Sequence, residues 1–241
     1  MSLGPQDERW RELSYVFVVT YARSGSTLLQ SLLNACAGVQ IRGENNNALY
    51  HLYRAIAATA AIAAARKDHG GPLALPPDAP WHGAGLIRPG GFEARLLQGF
   101  VRCVLAPDPA TRVTGFKEIR YNPLFVPGEH FAPYMDFLLS RFPHSKIVFN
   151  SRRAEDVATS SFVARQDPAQ VLAWVKASDA RFASFAAGSA RAIHLRYEDW
   201  VADHGLIHGM LDFLGLDWDA EAVARVFAKP LTHGKDQALR G

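Results

Sequence analysis

Residues Val18 to Leu33 read VVTYARSGSTLLQSLL: the end of an apolar strand, a tight polar loop and the start of a helix. A loop of this kind presents backbone N–H groups at a helix N-terminus, where the partial positive charge of the helix favours an anion. A full nucleoside-triphosphate loop spaces an early Gly, a second Gly, then Lys and Ser/Thr. Gly25 and Thr27 occupy the second-glycine and hydroxyl positions, but Thr20 stands at the early glycine and Ser26 at the lysine. A cradle for a metal-bound triphosphate is therefore incomplete. What remains is a set of helix-start donors, the hydroxyls of Ser24, Ser26 and Thr27, and a cation, Arg23, on the rim. That set suits one phosphate bearing a further charged group. Alone, it reads equally as Ser and Thr capping a helix over Thr27–Cys36.

Working outward, Tyr15–Val19, Lys146–Asn150 and Ala192–Leu195 read as buried strands, with Val39–Arg42 and Val113–Lys117 as further candidates. Helical spacing places Phe92, Leu96, Leu97, Phe100, Val101 and Val104 on one face, and Tyr134, Met135, Leu138, Leu139 and Phe142 on another. Pro168–Phe185 and Leu206–Leu214 read as helices too. Strands alternating with helices predict an α/β fold of three layers, a mostly parallel central sheet covered on both faces. Residues 68–91 are dense in Gly and Pro and read as a long loop of the kind that contacts substrates. One domain over residues 1–241 is expected, with 45–105 a helical and loop region on the acceptor side.

Composition sets bounds on this. The chain has 241 residues, 49% of them hydrophobic and 20% charged, with a net charge of +3, the profile of an ordinary globular protein. No basic run gives a nucleic-acid footprint. Cys36 and Cys103, the 2 cysteines, lie in apolar helical patterns and are expected to be core thiols. The 9 histidines lack metal-ligand spacing; His204 and His208 have no third ligand nearby. The N-terminus has no signal-like apolar core, and Ala55–Ala65 between Arg54 and Arg66 is too short to span a bilayer. An intracellular, cytoplasmic protein without a transmembrane segment is expected; oligomeric state is not legible.

A second segment, KIVFNSRRAEDVATSSF, changes the reading of the first. Its strand delivers Arg152 and Arg153 at the C-terminal end, where open α/β sheets bind ligands. A helix begins at Ala154, with Glu155 and Asp156 in its first turn, and Ser160 follows Arg152 by about two turns. A guanidinium and a hydroxyl from the next helix can clamp a second phosphate. Singly, Arg152 could instead pair with Glu155, Asp156 or Glu198.

Together the two segments resemble the 5′- and 3′-phosphate motifs of the sulfotransferases that use 3′-phosphoadenosine 5′-phosphosulfate. In that family the first strand ends in Tyr-Pro-(Lys/Arg)-Ser-Gly-(Thr/Ser)-Thr; here it is Tyr21-Ala22-Arg23-Ser24-Gly25-Ser26-Thr27. The second motif, an Arg and then a Ser eight residues later around Asp-Val-Ala, is Arg152, Asp156-Val157-Ala158 and Ser160. Gly115-Phe116-Lys117-Glu118 and Leu195-Arg196-Tyr197-Glu198-Asp199 look like the family's strand endings. The resemblance implies a P-loop-like sulfotransferase fold and transfer of a sulfuryl group to a hydroxyl of a small-molecule, lipid or glycan acceptor, without a metal. Such a donor needs two separated anion sites and no lysine–magnesium grip, which accounts for Ser26.

The same resemblance implies roles. Arg23 takes the place of the catalytic lysine, and since arginine does not readily release a proton its role is electrostatic. Ser24, Gly25, Ser26 and Thr27 hold the 5′-phosphate, Arg152 and Ser160 the 3′-phosphate, and Tyr197 belongs to the sheet's ligand end. Gly43-Glu44 matches the branches, similar to bacterial carbohydrate and protein-tyrosine sulfotransferases, that use a glutamate base. The cytosolic branch's histidine, two residues after a strand-end lysine, is Ile119 here. Glu44 is thus the base candidate, with Glu118 in reserve and Lys117 a sulfate contact. The plain alternatives are a solvated carboxylate at Glu44 and a surface lysine at Lys117. Lys235 or Arg240 could close over the 3′-phosphate. A P-loop kinase, or a nucleotide-binding module without turnover, remains the alternative.

Overall fold

The computed structural model describes residues 9–68 and 75–229. Lys235, Arg240 and part of the 68–91 loop lie outside the described residues. The chain divides into two compact units, Met1–Trp10 with Asn47–Ala106, and Arg11–Asn46 with Pro107–Gly241.

The second unit is built on five parallel strands: β1 (Ser14–Val19), β2 (Val39–Arg42), β3 (Val113–Glu118), β4 (Lys146–Ser151) and β5 (Ala192–Arg196). Their order is β2-β3-β1-β4-β5, so the expected parallel α/β sheet is present, with β1 at its centre. Strand β1 explains why. Five of its residues are buried, and alternation sends two kinds of side chain to opposite faces. Val16 and Val18 join an aliphatic cluster with Leu29 and Leu32 of α1 (Ser26–Asn34), Trp200 of α7 (Tyr197–Ala202), and Ile207 and Met210 of α8 (His204–Leu214). Tyr15 and Phe17 face an aromatic layer, packing on Phe142 at 4.9 and 5.3 Å between centroids. Phe149 of β4 stacks on Phe182 of α6 (Pro168–Ala187) at 4.9 Å in the same layer. Helix α4 (Gly128–Arg141) adds Tyr134, Met135 and Leu138, and α5 (Ala154–Ala158) follows β4. Gly115 makes the sheet's closest approach: a Cβ there would stand 1.8 Å from the Val16 carbonyl oxygen, so the β1–β3 register at this point requires glycine.

The unit containing residues 47–106 holds α2 (Ala48–Asp68) and α3 (Pro89–Phe100), which pack on each other. Helix α2 is longer than the Ala55–Ala65 stretch; Ala48–Ala65, with Arg54 among them, have the length and apolar composition of a membrane-crossing helix, a criterion that core helices also meet. After α3 the chain makes a π-type turn over Val101–Leu105. Its wider pitch breaks the 3.6-residue phase, so Cys103 is exposed rather than a core thiol, and Val104 turns outward as well. Cys36 is half-buried against the aliphatic cluster. The last helix among the described residues, α9 (Ala220–Ala228), is N-capped by the Asp219 carboxylate.

Candidate functional site

Arg23 to Thr27 follow the C-terminal end of β1 and Arg152 that of β4, and buried hydrogen bonds fix the first loop. Thr20 Oγ1 donates to the Asn150 carbonyl at 2.6 Å and lies 2.7 Å from Ser24 Oγ. Asn150 Nδ2 donates to the Ser24 carbonyl at 2.8 Å, and Trp200 Nε1 donates to Asn150 Oδ1 at 2.9 Å. All four residues are buried, and polar groups removed from water persist only when paired in this way. The loop is thus shaped from β4 and α7, across more than a hundred residues of sequence.

Gly25, not a serine or threonine, is the residue before α1; its φ is 78° and no side chain caps the helix. The helix-capping account of Ser24–Thr27 therefore fails: Ser24 is committed to Thr20. The first-turn N–H groups of a helix have no carbonyl four residues back to meet. Gly25 is required twice over, by its positive φ and because a Cβ would stand 2.1 Å from Tyr197 Cδ2. Tyr197 thereby packs on the loop, and the Arg152 guanidinium lies over its ring at 4.7 Å, a cation–π contact.

The two motifs meet. Arg23, held at φ 65°, donates from Nε to Ser160 Oγ at 2.9 Å, and Arg152 Nη1 donates to the Arg23 carbonyl at 3.2 Å. Ser160 stands not on a helix but in the turn between α5 and a 3-10 segment, Ser161–Arg165. Of the arginine doublet, Arg152 faces the site, while Arg153 is exposed and lies 3.8 Å from Asp156. Arg152 Nε is buried without a hydrogen-bond partner, 4.0 Å from Glu198 Oε1. Glu198 Oε2 is likewise buried without a hydrogen-bond partner, so charge attraction rather than a hydrogen bond joins Arg152 to Glu198.

Tyr21 sets the position of Arg152. Its hydroxyl accepts from the Arg152 backbone N–H at 2.9 Å and donates to Asp179 Oδ1 at 2.8 Å. Burial, the largest cause, raises the Asp179 carboxyl to about 6 and holds the Tyr21 phenol well above its ordinary range.

On the other side of β1, Lys117 is almost wholly buried and its Nζ lies 2.6 Å from Glu44 Oε1, with Arg120 Nη1 3.8 Å from Glu44 Oε2. A buried ammonium requires a partner, so the surface-lysine alternative for Lys117 does not hold. Glu118, the reserve base, is fully buried. Its Oε1 accepts from the N–H groups of Ile119 and Arg120 and from Arg120 Nη1, and Oε2 accepts from the Asn45 N–H. It anchors the loop that carries Glu44 and is saturated there.

These groups surround one cavity of about 730 Å³, lined by Arg23, Gly25, Ser26, Thr27, Glu44, Lys117, Arg120, Arg152 and Tyr197 together with apolar side chains. Four cations face one carboxylate, a balance suited to a polyanion. Arg120, Asn150, Tyr21 and Asp179 are contributors that sequence reasoning missed as site residues. Tyr21 lay inside the quoted motif, but nothing local signals the others. Among the described residues, no group of three or more His, Cys, Asp or Glu could hold a metal ion.

Comparison with known proteins gives a single family. Residues 15–220 match the sulfotransferase family profile. Among solved structures, the chain is similar to the sulfotransferase domain of the Synechococcus PCC 7002 olefin synthase, with 20% identity and TM-score 0.54 over 95% of this chain and 82% of that one. It is also similar to the sulfotransferase domain from the curacin biosynthetic pathway, with 16% identity and TM-score 0.55 over 95% of this chain and 83% of that one. No curated protein matches. The parallel sheet with β1 at its centre is thus a fold shared with sulfotransferase domains, and the profile covers the five strands apart from Ser14. This chain belongs to the sulfotransferase family.

Proposed function

We propose that the protein transfers a sulfuryl group from 3′-phosphoadenosine 5′-phosphosulfate to an acceptor hydroxyl, with Glu44 as general base. The observation that supports this most is the 2.9 Å contact of Arg23 with Ser160: residues of the two motifs, distant in sequence, meet beside one cationic cavity. The first loop and the start of α1 would receive the 5′-phosphosulfate, and Arg152 with Ser160 the 3′-phosphate. The donor is a substrate, and its fit rests on the cationic lining, which includes the Arg152 guanidinium whose Nε makes no hydrogen bond.

In the reaction, the acceptor oxygen forms a bond to sulfur while the bond from sulfur to the bridging phosphate oxygen breaks. The acceptor proton passes to Glu44, and 3′-phosphoadenosine 5′-phosphate departs. Glu44 lines the cavity, with Oε1 fixed by Lys117 at 2.6 Å and Oε2 3.8 Å from Arg120 Nη1. A base held within reach of the proton contributes about 10²–10⁴-fold. Arg23 and Lys117 meet charge developing on the transferring group and the leaving oxygen, electrostatic stabilisation that costs little reorganisation in a site already built. Arg23 stays charged throughout.

Incubation with ³⁵S-labelled donor and a panel of alcohols tests the reading: labelled sulfate ester should appear, without a magnesium requirement. Transfer of phosphate from ATP with magnesium, and none of sulfate, would replace it with the kinase alternative.

A further inference from the structure

The rim of the cavity is apolar where a polar surface would be expected. Leu124, Phe125 and Phe162 line the cavity and are 73%, 50% and 46% exposed. They are held there by built structure. Tyr121 and Val126 are fully buried at the two ends of the loop. Within it, Asn122 Oδ1 accepts from the Leu124 N–H at 3.0 Å, and the Asn122 carbonyl accepts from Phe125 and Val126. Arg181 Nη1 pins the Val126 carbonyl at 2.8 Å. Phe162 follows Ser161, a non-glycine residue at φ 54°, and Ser160, the partner of Arg23. Backbone strain held beside a site and large apolar side chains held in water both mark a surface made for a ligand.

Polar groups that could read a sugar are few. Among the described lining residues outside the ion cluster and the first loop, the polar side-chain groups are the amides of Asn122 and Gln166 and the indole N–H of Trp174, which is buried without a hydrogen-bond partner. Asn122 is buried and uses its carbonyl oxygen within its own loop. We propose that the acceptor is an apolar alcohol, its hydroxyl at Glu44 and its hydrocarbon body against Leu124, Phe125 and Phe162. This rests on the sulfotransferase reading of the same cavity, which supplies the hydroxyl's destination.

Calorimetric titration of the protein saturated with 3′-phosphoadenosine 5′-phosphate tests it, with 1-octanol, 2-naphthol and methyl glucoside as probes. The two apolar alcohols should bind and the glucoside should not. The double variant Leu124→Ser/Phe125→Ser should weaken the alcohols about tenfold, equivalent to about 1.4 kcal/mol, and leave bisphosphate affinity unchanged. Both positions are exposed, so the fold should tolerate the change. Tighter binding of the glucoside, no binding of either alcohol, or alcohol affinity indifferent to the substitutions would overturn the inference. So would a wild-type dimer that the double variant dissolves, since the patch would then be an interface between copies. The bisphosphate titration that precedes the alcohols reports on the sulfotransferase reading separately: its failure would remove the donor, whereas failure of the alcohols alone would remove only this acceptor class.

Discussion

Arg23 and Ser160, 137 residues apart, are joined by a 2.9 Å hydrogen bond from Nε to Oγ. A cation from the first loop, which lines the cavity, thus meets a hydroxyl from the second segment. If this pair receives the donor, Ser160→Ala should weaken the bisphosphate about tenfold and AMP hardly at all, the loss of a hydrogen bond to a charged group. Arg23→Ala should lower kcat by about 10²–10³-fold, as removal of a transition-state contact does. Steady-state kinetics beside calorimetry separates the two effects.

Glu44 and Glu118 make opposite predictions. Glu44→Gln should fold normally, bind the bisphosphate and lose about 10²–10⁴-fold in turnover. A variant retaining full turnover would remove Glu44 as the base.

Glu118→Ala should act on stability. It leaves three backbone N–H groups and the Arg120 guanidinium without their carboxylate. Breaking a buried charged network costs about 3–5 kcal/mol, or roughly 6–20 °C in Tm for a chain of this size. A thermal scan showing an unchanged Tm would contradict the anchoring role.

Asp179 should make stability depend on pH. Its carboxyl is raised from 3.8 to about 6, chiefly by burial, so the folded protein keeps a proton that the unfolded chain releases. The resulting stabilisation is fully present below about pH 3.8 and is lost as pH rises through about 6. The shift corresponds to roughly 3 kcal/mol, and the partial exposure of Asp179 to solvent reduces it to about 1–2 kcal/mol. Asp179→Asn still accepts the Tyr21 hydroxyl proton. It should flatten this part of the profile and raise Tm at pH 7.5 by about 2–8 °C. Denaturant melts between pH 4 and 8 on both proteins check this; parallel profiles would refute it.

The first loop and the Arg152–Ser160 pair were legible in the sequence because their chemistry is local. Hydroxyls and cations at strand ends stand out as candidate anion sites whatever the rest of the chain does, and β1's apolar run needs a sheet on both sides. Contacts between distant residues were not legible. Glu118 and Glu44 are both carboxylates near strand ends; only the fold brings the Asn45 N–H onto Glu118 and saturates it. Asp179 sits mid-helix, 158 residues from Tyr21, with no pattern around it. Cys103 and Val104 followed the helical spacing until the π-type turn shifted its phase.

The central claim is that this cavity holds a nucleotide carrying a separate 3′-phosphate. Its most direct measurement is the dissociation constant of 3′-phosphoadenosine 5′-phosphate against those of AMP and ATP–magnesium, in wild type and in Arg152→Ala/Ser160→Ala. The account predicts that wild type prefers the bisphosphate by about a hundredfold or more, roughly 2.7 kcal/mol, and that the double variant loses that preference while keeping AMP. Equal affinity for bisphosphate and AMP in wild type, or tightest binding of ATP–magnesium, would contradict it.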